Sequence, residues 1–365
     1  MRAAVDVVRT GRARRGAAWA GCAAACWSLG YAILGLYWWS GGAGFPFARI
    51  DDNHRSGSIL EGSDVAVVAP LMALLGLGGA AVAVYMALAR RAVRGSWAVI
   101  GFGWAMAAGL ALVLPDYSLL AFVAFAPLLL VFVFTGVPGP QDGIGDIMYW
   151  HRTNLMILFA GGLLWAWAAV TYRRRIRGAC VRCGRVEGHA SGPERVDLLR
   201  WGRRAVLVAV LAPVPYEITR IAWFFGLPLG IPHDFLTMMQ DTPGMLEVGL
   251  GCALASIGGG ILTRGLVSRW GEFYPRWMFW RAGRRVPPML AVVPAAVVAV
   301  ALVPAGLMNL RLPTTADTWA VSAPGVLWTV WGVALGAATL AYHLRRRPPC
   351  RRCGRGRLDP GEHKT

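Results

Sequence analysis

Apolar runs of about 18 residues or more recur from one end of this sequence to the other, at 17–39, 64–88, 97–114, 119–136, 153–172, 205–226, 245–263, 289–308 and 323–342. At about 1.5 Å of rise per helical residue, each is long enough to cross a hydrocarbon layer of about 30 Å. Hydrocarbon offers the backbone no hydrogen-bond partner, so a spanning segment satisfies its own N–H and C=O groups as a helix or within a closed barrel. Barrel strands would be about ten residues long with alternating polarity, and these runs are neither. The composition agrees: 15% of residues are charged, against about 25% in an average soluble protein. The 37 Lys and Arg against 19 Asp and Glu fit basic loops on one membrane face, so no nucleic-acid partner is expected. The first run follows Arg12, Arg14 and Arg15 and leads into Tyr37, Trp38 and Trp39 with no small-residue cleavage site. It reads as a retained helix rather than a signal peptide.

Orientation follows from the placement of positive charge. If 1–16, 89–96, 173–204, 264–288 and 343–365 face the cytoplasm, they hold 32 of the 37 Lys and Arg residues. Both termini are then cytoplasmic. Counting both 97–114 and 119–136 as full crossings breaks this scheme, because Arg173 to Arg175 would fall outside. The second run contains Pro127 and is followed by the Gly-Pro-rich stretch 136–145. It is therefore read as a re-entrant or outer-face helix, tolerated when packed against protein; the alternative is a ninth span with an inverted first half.

Two anchors point to an internal duplication. Tyr31, Trp38 and Gly41, followed by Gly44-Phe45-Pro46, parallel Tyr216, Trp223 and Gly226, followed by Gly230-Ile231-Pro232, with the same Tyr–Trp and Trp–Gly intervals. Tyr172 precedes Cys180-Val-Arg-Cys183-Gly by eight residues, and Tyr342 precedes Cys350-Arg-Arg-Cys353-Gly by eight. The first pair is offset by 185 residues and the second by 170, so the first half is longer by 15, about the length of the surplus 119–136 segment. The expected fold class is an all-α membrane protein of about eight spans plus one re-entrant helix, as two parallel four-span repeats. Its parts are a basic amino-terminal segment 1–16, a first repeat 17–172, a linker 173–204, a second repeat 205–342 and a tail 343–365.

Of seven cysteines, Cys22, Cys26 and Cys252 lie inside apolar runs and read as small buried hydrophobes. The other four form two C-x-x-C-G turns, in a compartment where disulfides are disfavoured. Two such pairs supply the four thiolates of one tetrahedral structural zinc site, Cys180, Cys183, Cys350 and Cys353. Separate sites, a redox pair and metal-free loops are the alternatives. Arg182, Arg185, Arg351, Arg352 and Arg355 flank the turns and would offset thiolate charge. A closed site of this kind has no open position for substrate, so its expected role is structural or that of a docking surface for a cytoplasmic protein.

Glu217 and Arg220 lie three apart on one face of the 205–226 run. A charge at the bilayer centre costs about 2.5 to 3.5 kcal/mol, and such groups usually face a bundle interior or an aqueous path. The pair is placed to neutralise itself, with Tyr216 beside it, while Pro213 and Pro215 should kink or open the helix. The same pair could instead be a buried salt bridge that only fixes packing. On the outer face, Asp51, Asp52, His54, Asp116, Asp142, Asp146, His151, His233, Asp234 and Asp241 form an acidic, His-containing rim without any fixed metal-ligand spacing. Between spans, Trp270, Phe273, Tyr274 and Trp277 stand at helical spacing, and Trp280 follows. This reads as an interfacial helix with Arg276, Arg281, Arg284 and Arg285 toward anionic lipid of the inner leaflet, at about 1 kcal/mol each. No Walker A, dinucleotide or haem-attachment motif is present, and no nucleophile and base can be paired, so an enzyme is not the expected class.

The stretch W-G-E-F-Y-P-R-W from Trp270 to Trp277, G-R-R-V-P-P from Gly283 to Pro288, and the paired Y-x6-W-x2-G anchors resemble uncharacterised multi-pass membrane proteins of high-GC actinobacteria. That resemblance implies a bacterial plasma-membrane location and supports the fold class; it supplies no substrate and no catalytic residue. Two function classes remain, the first preferred because ionisable groups inside a membrane commonly mark substrate or ion pathways. One is a transporter or permease-like protein with Tyr216, Glu217 and Arg220 on a polar path. The other is a scaffold or signalling protein with a zinc-containing docking surface.

Overall fold

The computed structural model describes residues 2–48, 58–89, 93–124, 149–186, 195–276, 281–312, 314–350 and 352–354, with the side chains of 2–17, 195 and 196 left aside. Among the described residues the chain is all-α, with ten helices: α1 Arg2–Trp39, α2 Val65–Leu88, α3 Ser96–Ala108, α4 Trp150–Ile176, α5 Arg195–Leu211, α6 Val214–Phe224, α7 His233–Asp241, α8 Met245–Arg264, α9 Pro288–Asn309 and α10 Trp319–Arg346. Helix α3 runs on as a π-helical turn over Gly109–Val113. Among the described residues eight segments are long and apolar enough to span a membrane, α5 and α6 counting as one. Many of their large apolar side chains point outward, Leu74 at 66% and Val333 at 63% exposure among them. In water that would be a fault; against lipid tails it is the expected surface.

Two compact units divide the chain: 1–115 with 142–192 and 348–365, and 116–141 with 193–347. In the first, α1 packs along α2, and α4 lies against both α1 and α3. Small residues set the α1–α2 approach. A Cβ added to Gly35 would meet Ala69 O and Ala73 N, each at 2.7 Å, and one added to Gly76 would meet Ala32 N and Ser28 O, each at 2.7 Å. Membrane helices lack a hydrophobic drive to associate and gain by such close backbone packing. The core gathers around Leu155, Trp165 and Tyr172, with Trp165 Nε1 donating to Ser28 Oγ at 3.2 Å and Tyr31 to Asn154 Oδ1 at 2.7 Å.

In the second unit α10 packs along α9 and α5, and α8 lies against α6 and α5. Ala212 and Pro213 interrupt the fifth span, so the opening expected from Pro213 and Pro215 is present as a break between α5 and α6. The helices overrun the sequence-based boundaries: α1 starts at Arg2 rather than 17, and α5 at Arg195 rather than 205. Helix α7, within the expected outer loop, was not anticipated. Residues 118–124 are helical, but the rest of the expected 119–136 re-entrant segment lies outside the described residues.

Helix ends follow local chemistry. Gly41 and Gly226, at φ 92° and 81°, each follow a buried Trp and close a Schellman turn: Gly42 N donates to Tyr37 O at 2.9 Å, and Leu227 N to Ala222 O at 2.9 Å. At the end of α2, Arg175 Nη1 donates to the carbonyls of Met86, Ala87 and Ala89 at 3.1, 2.8 and 3.1 Å. Past the end of α8, Arg345 Nη2 donates to Leu266 O at 2.9 Å. Carbonyls at a helix carboxy terminus lack partners within the helix, and a cation there also meets the negative end of the dipole.

Candidate metal centre and polar sites

The first C-x-x-C-G turn follows α4 and the second follows α10, and both fold the same way. Gly184 N donates to Cys180 O at 2.7 Å and Gly354 N to Cys350 O at 2.8 Å. The glycines take φ 73° and 70°, where a side chain would be strained. Arg174 Nη1 holds the first turn through Val181 O at 2.8 Å, and Arg185 Nη1 reaches Pro348 O, at the entry to the second, at 3.3 Å.

These turns bring the thiols of Cys180, Cys183, Cys350 and Cys353 within 4.8 Å of one another. Cys183 Sγ and Cys353 Sγ are 3.6 Å apart, and none of the four is in a disulfide. Four thiolates at about 2.3 Å from a tetrahedral zinc would be spaced by about 3.8 Å, so the set fits one ion. Among the described residues no other group of His, Cys, Asp and Glu is gathered this way. Burial pushes the Cys183 thiol up to about 12, with the neighbouring Cys353, Cys180 and Cys350 adding to it. Burial also opposes ionisation of Cys350, but the N–H groups of Cys353 and Arg352 outweigh it and draw that thiol down to about 6. Cys180 is drawn down in the same manner, burial being outweighed by the N–H groups of Cys183 and Arg182. Thiols so close resist shared ionisation until a cation neutralises them. Arg182, Arg185 and Arg352 flank the cluster; Arg351 and Arg355 lie outside the described residues.

Glu217 and Arg220 lie on α6, but no ion pair joins them. Glu217 Oε1 accepts from Ser256 Oγ of α8 at 2.7 Å. Arg220 lies over the rings of Trp223 and Tyr216, at 4.1 and 4.7 Å to the centroids. Its Nη1 donates to Ala320 O at 3.3 Å and its Nη2 to Val321 O at 3.4 Å. The cause sits in α10: Pro324 has no N–H, so the carbonyl four residues earlier, Ala320, has no helical donor. Arg220 supplies it. Spacing alone pairs the acid with the base on one helix; the neighbouring helices offered each a better partner.

The segment from Trp270 corrects the sequence-based expectation of a helix. After a 3-10 turn at Arg269–Gly271 the backbone is extended, with Phe273 bridged to Arg285. Tyr274 N donates to Arg284 O at 3.0 Å and Val286 N to Glu272 O at 2.9 Å. Gly271 and Pro275 are poor helix formers, and backbone groups of 283–286 pair with the segment instead. Trp277 and Trp280, placed with this segment from the sequence, lie outside the described residues; Arg276, Arg281, Arg284 and Arg285 are exposed. Glu272 is held by Arg345 at 3.0 Å, and Arg346 donates to Gly271 O at 3.1 Å and Tyr342 Oη at 2.7 Å. This arginine-rich latch at the end of α10 was missed from sequence, where its residues looked like ordinary basic flanks.

The expected acidic rim is described only in part. Asp51, Asp52, His54, Asp142 and Asp146 lie outside the described residues. Asp116 is buried and accepts from Ser118 N at 2.9 Å. His151 is buried against Pro46 O, while His233, Asp234 and Asp241 are exposed at the ends of α7. Cys22 and Cys26, expected to be buried, are exposed on α1, where exposure in a membrane means contact with lipid; Cys252 is half-buried. No protein-family model matches the chain, and no curated protein or solved structure was found similar to it.

Proposed function

We propose that the chain is a multi-pass protein of the bacterial plasma membrane, built as two parallel four-span repeats. In this reading it carries one structural zinc ion on its cytoplasmic face as part of a docking surface for an acidic cytoplasmic partner. The observation that carries the reading is the meeting of four thiols from two turns 170 residues apart. Zinc would be held by Cys180, Cys183, Cys350 and Cys353, and it would supply structure and charge compensation, not catalysis. The surrounding arginines supply the positive field that an acidic partner recognises, and the loop-charge asymmetry supports the cytoplasmic placement.

The repeat is supported by residues with matched parts. Tyr172 and Tyr342 each send a hydroxyl to the segment after the second span of its unit, to Ser96 Oγ at 3.4 Å and Gly271 O at 2.7 Å. Arg175 and Arg345, also 170 apart, each satisfy carbonyls at the close of α2 or just past α8. The two Trp-Gly anchors end in the same Schellman turn.

Metal analysis of detergent-purified wild type beside Cys180→Ser and Cys353→Ser tests the centre, with about one zinc per wild-type chain, lost in both variants, expected for a closed four-thiolate site. Docking is tested by photo-crosslinking in cells from position 181, where Cys353→Ser should lose the adduct while still inserting. An unchanged adduct in that zinc-free variant removes the docking role. A permease-like reading is favoured by one observation, that Glu217 lies within a span and accepts from a hydroxyl rather than pairing with a cation. It places Tyr216, Glu217 and Arg220 on a polar path, and Glu217→Gln should then abolish flux without affecting insertion.

A further inference from the structure

A cavity of about 410 Å³ lies within the second unit, walled by the last turns of α8, the first half of α9 and the middle of α10, and covered by Trp270, Gly271, Tyr274, Pro275 and Val286. Gly259, Leu262, Ala295, Trp331 and Leu335 form part of its wall. We propose that this cavity binds one acyl chain of an anionic phospholipid, with the phosphate among Arg281, Arg284 and Arg285.

Two observations favour that occupant. The volume falls in the range of small-molecule sites, about 300 to 1,000 Å³, yet the lining is nearly all apolar and belongs to three candidate spans. A hydrocarbon chain suits it and a water-soluble ligand does not. Charge complementarity completes the case. Arg281 stands over the Tyr274 ring at 5.8 Å and Arg285 over Phe273 at 6.0 Å, so cations rim the residues that cover the cavity. The acid of this segment, Glu272, is already held by Arg345. A second copy of the chain would bring its own guanidinium groups against these, which disfavours a dimer here.

A Cβ at Gly259 meets nothing within 4 Å, so Gly259→Leu fills the cavity without displacing the backbone. Wild type, Gly259→Leu and the double variant Arg284→Gln/Arg285→Gln are reconstituted in nanodiscs of phosphatidylcholine and phosphatidylglycerol at a ratio of about three to one, released, and weighed by native mass spectrometry. The expected result is one retained phosphatidylglycerol per wild-type chain, at least tenfold less in Gly259→Leu, and lost phosphatidylglycerol preference in the arginine variant. Equal retention in Gly259→Leu, or no preference for the anionic lipid in wild type, overturns the proposal. Should Gly259→Leu fail to fold, wild type is photolabelled with a phosphatidylglycerol bearing a diazirine at its chain end. Adducts on 259–266 and 290–298 support the site, and adducts elsewhere overturn it.

Discussion

Pro324 and Arg220 form a pair whose logic is visible in one hydrogen bond, since the guanidinium donates to the carbonyl that the proline deprived of its donor. Arg220→Met should destabilise the protein by about 1 to 3 kcal/mol, the penalty for leaving a buried acceptor unmade. In a Pro324→Ala background the N–H returns, and the same change should cost about 1 kcal/mol less, read from a double-mutant cycle of thermal melts in detergent. Additive effects would show that Arg220 matters for another reason. At the candidate metal centre, protons would compete with a bound ion for sulfur. The Cys350 thiol is drawn down to about 6 while the Cys183 thiol is pushed up to about 12, so protons would leave the cluster as an ion binds and return to it as pH falls. Zinc content measured across dialysis from pH 8 to pH 5 (roughly the span over which thiolate ligands are protonated) should fall at the acid end, whereas a flat profile would argue against thiolate ligation. The four cysteines were legible because C-x-x-C-G carries its own turn chemistry. The partners of Glu217 and Arg220 were not, because i and i+3 share a face without revealing what faces it.

Helix packing carries its own test. Gly35 and Gly76 admit the opposing backbone, and Gly35→Leu or Gly76→Leu forces α1 from α2, at a cost of about 1 to 3 kcal/mol or more. Gly30→Leu and Gly78→Leu, where an added Cβ meets nothing within 4 Å, should leave the melting temperature nearly unchanged. Similar losses at all four positions would mean that helix association does not rest on this approach. Spans were easy to locate because twenty apolar residues have few alternatives. Their ends were harder, because Arg-rich turns continue as helix once past the hydrocarbon, as at Arg195–Leu211. Trp270 to Trp277 misled because aromatic spacing of three and four mimics a helical face, while the hydrogen bonds from 283–286 that make it extended come from residues after the intervening loop.

For the whole molecule, the meeting of the two turns restricts topology, since the chain between 184 and 348 must return to the membrane face it left and so crosses an even number of times. Four candidate spans lie in that interval. Cysteine substitution with a membrane-impermeant thiol reagent should therefore label sites placed at 178 and 348 from the same side; labelling from opposite sides would contradict the cluster itself. Arg345→Met removes the guanidinium facing Glu272, whose pair is 8% and 21% exposed, and should cost on the order of 3 kcal/mol. A lowered melting temperature in detergent checks this, and an unchanged one would show that the pair adds nothing to stability.

Cys350 and Cys353 group with the first compact unit although the second is made before them. During synthesis the first unit therefore waits, its two early thiols without their partners, until residue 353 has left the ribosome. A chain interrupted anywhere in the second half would insert its early spans but could never close the ring of ligands. A metal held by that ring would then distinguish finished molecules from abandoned ones.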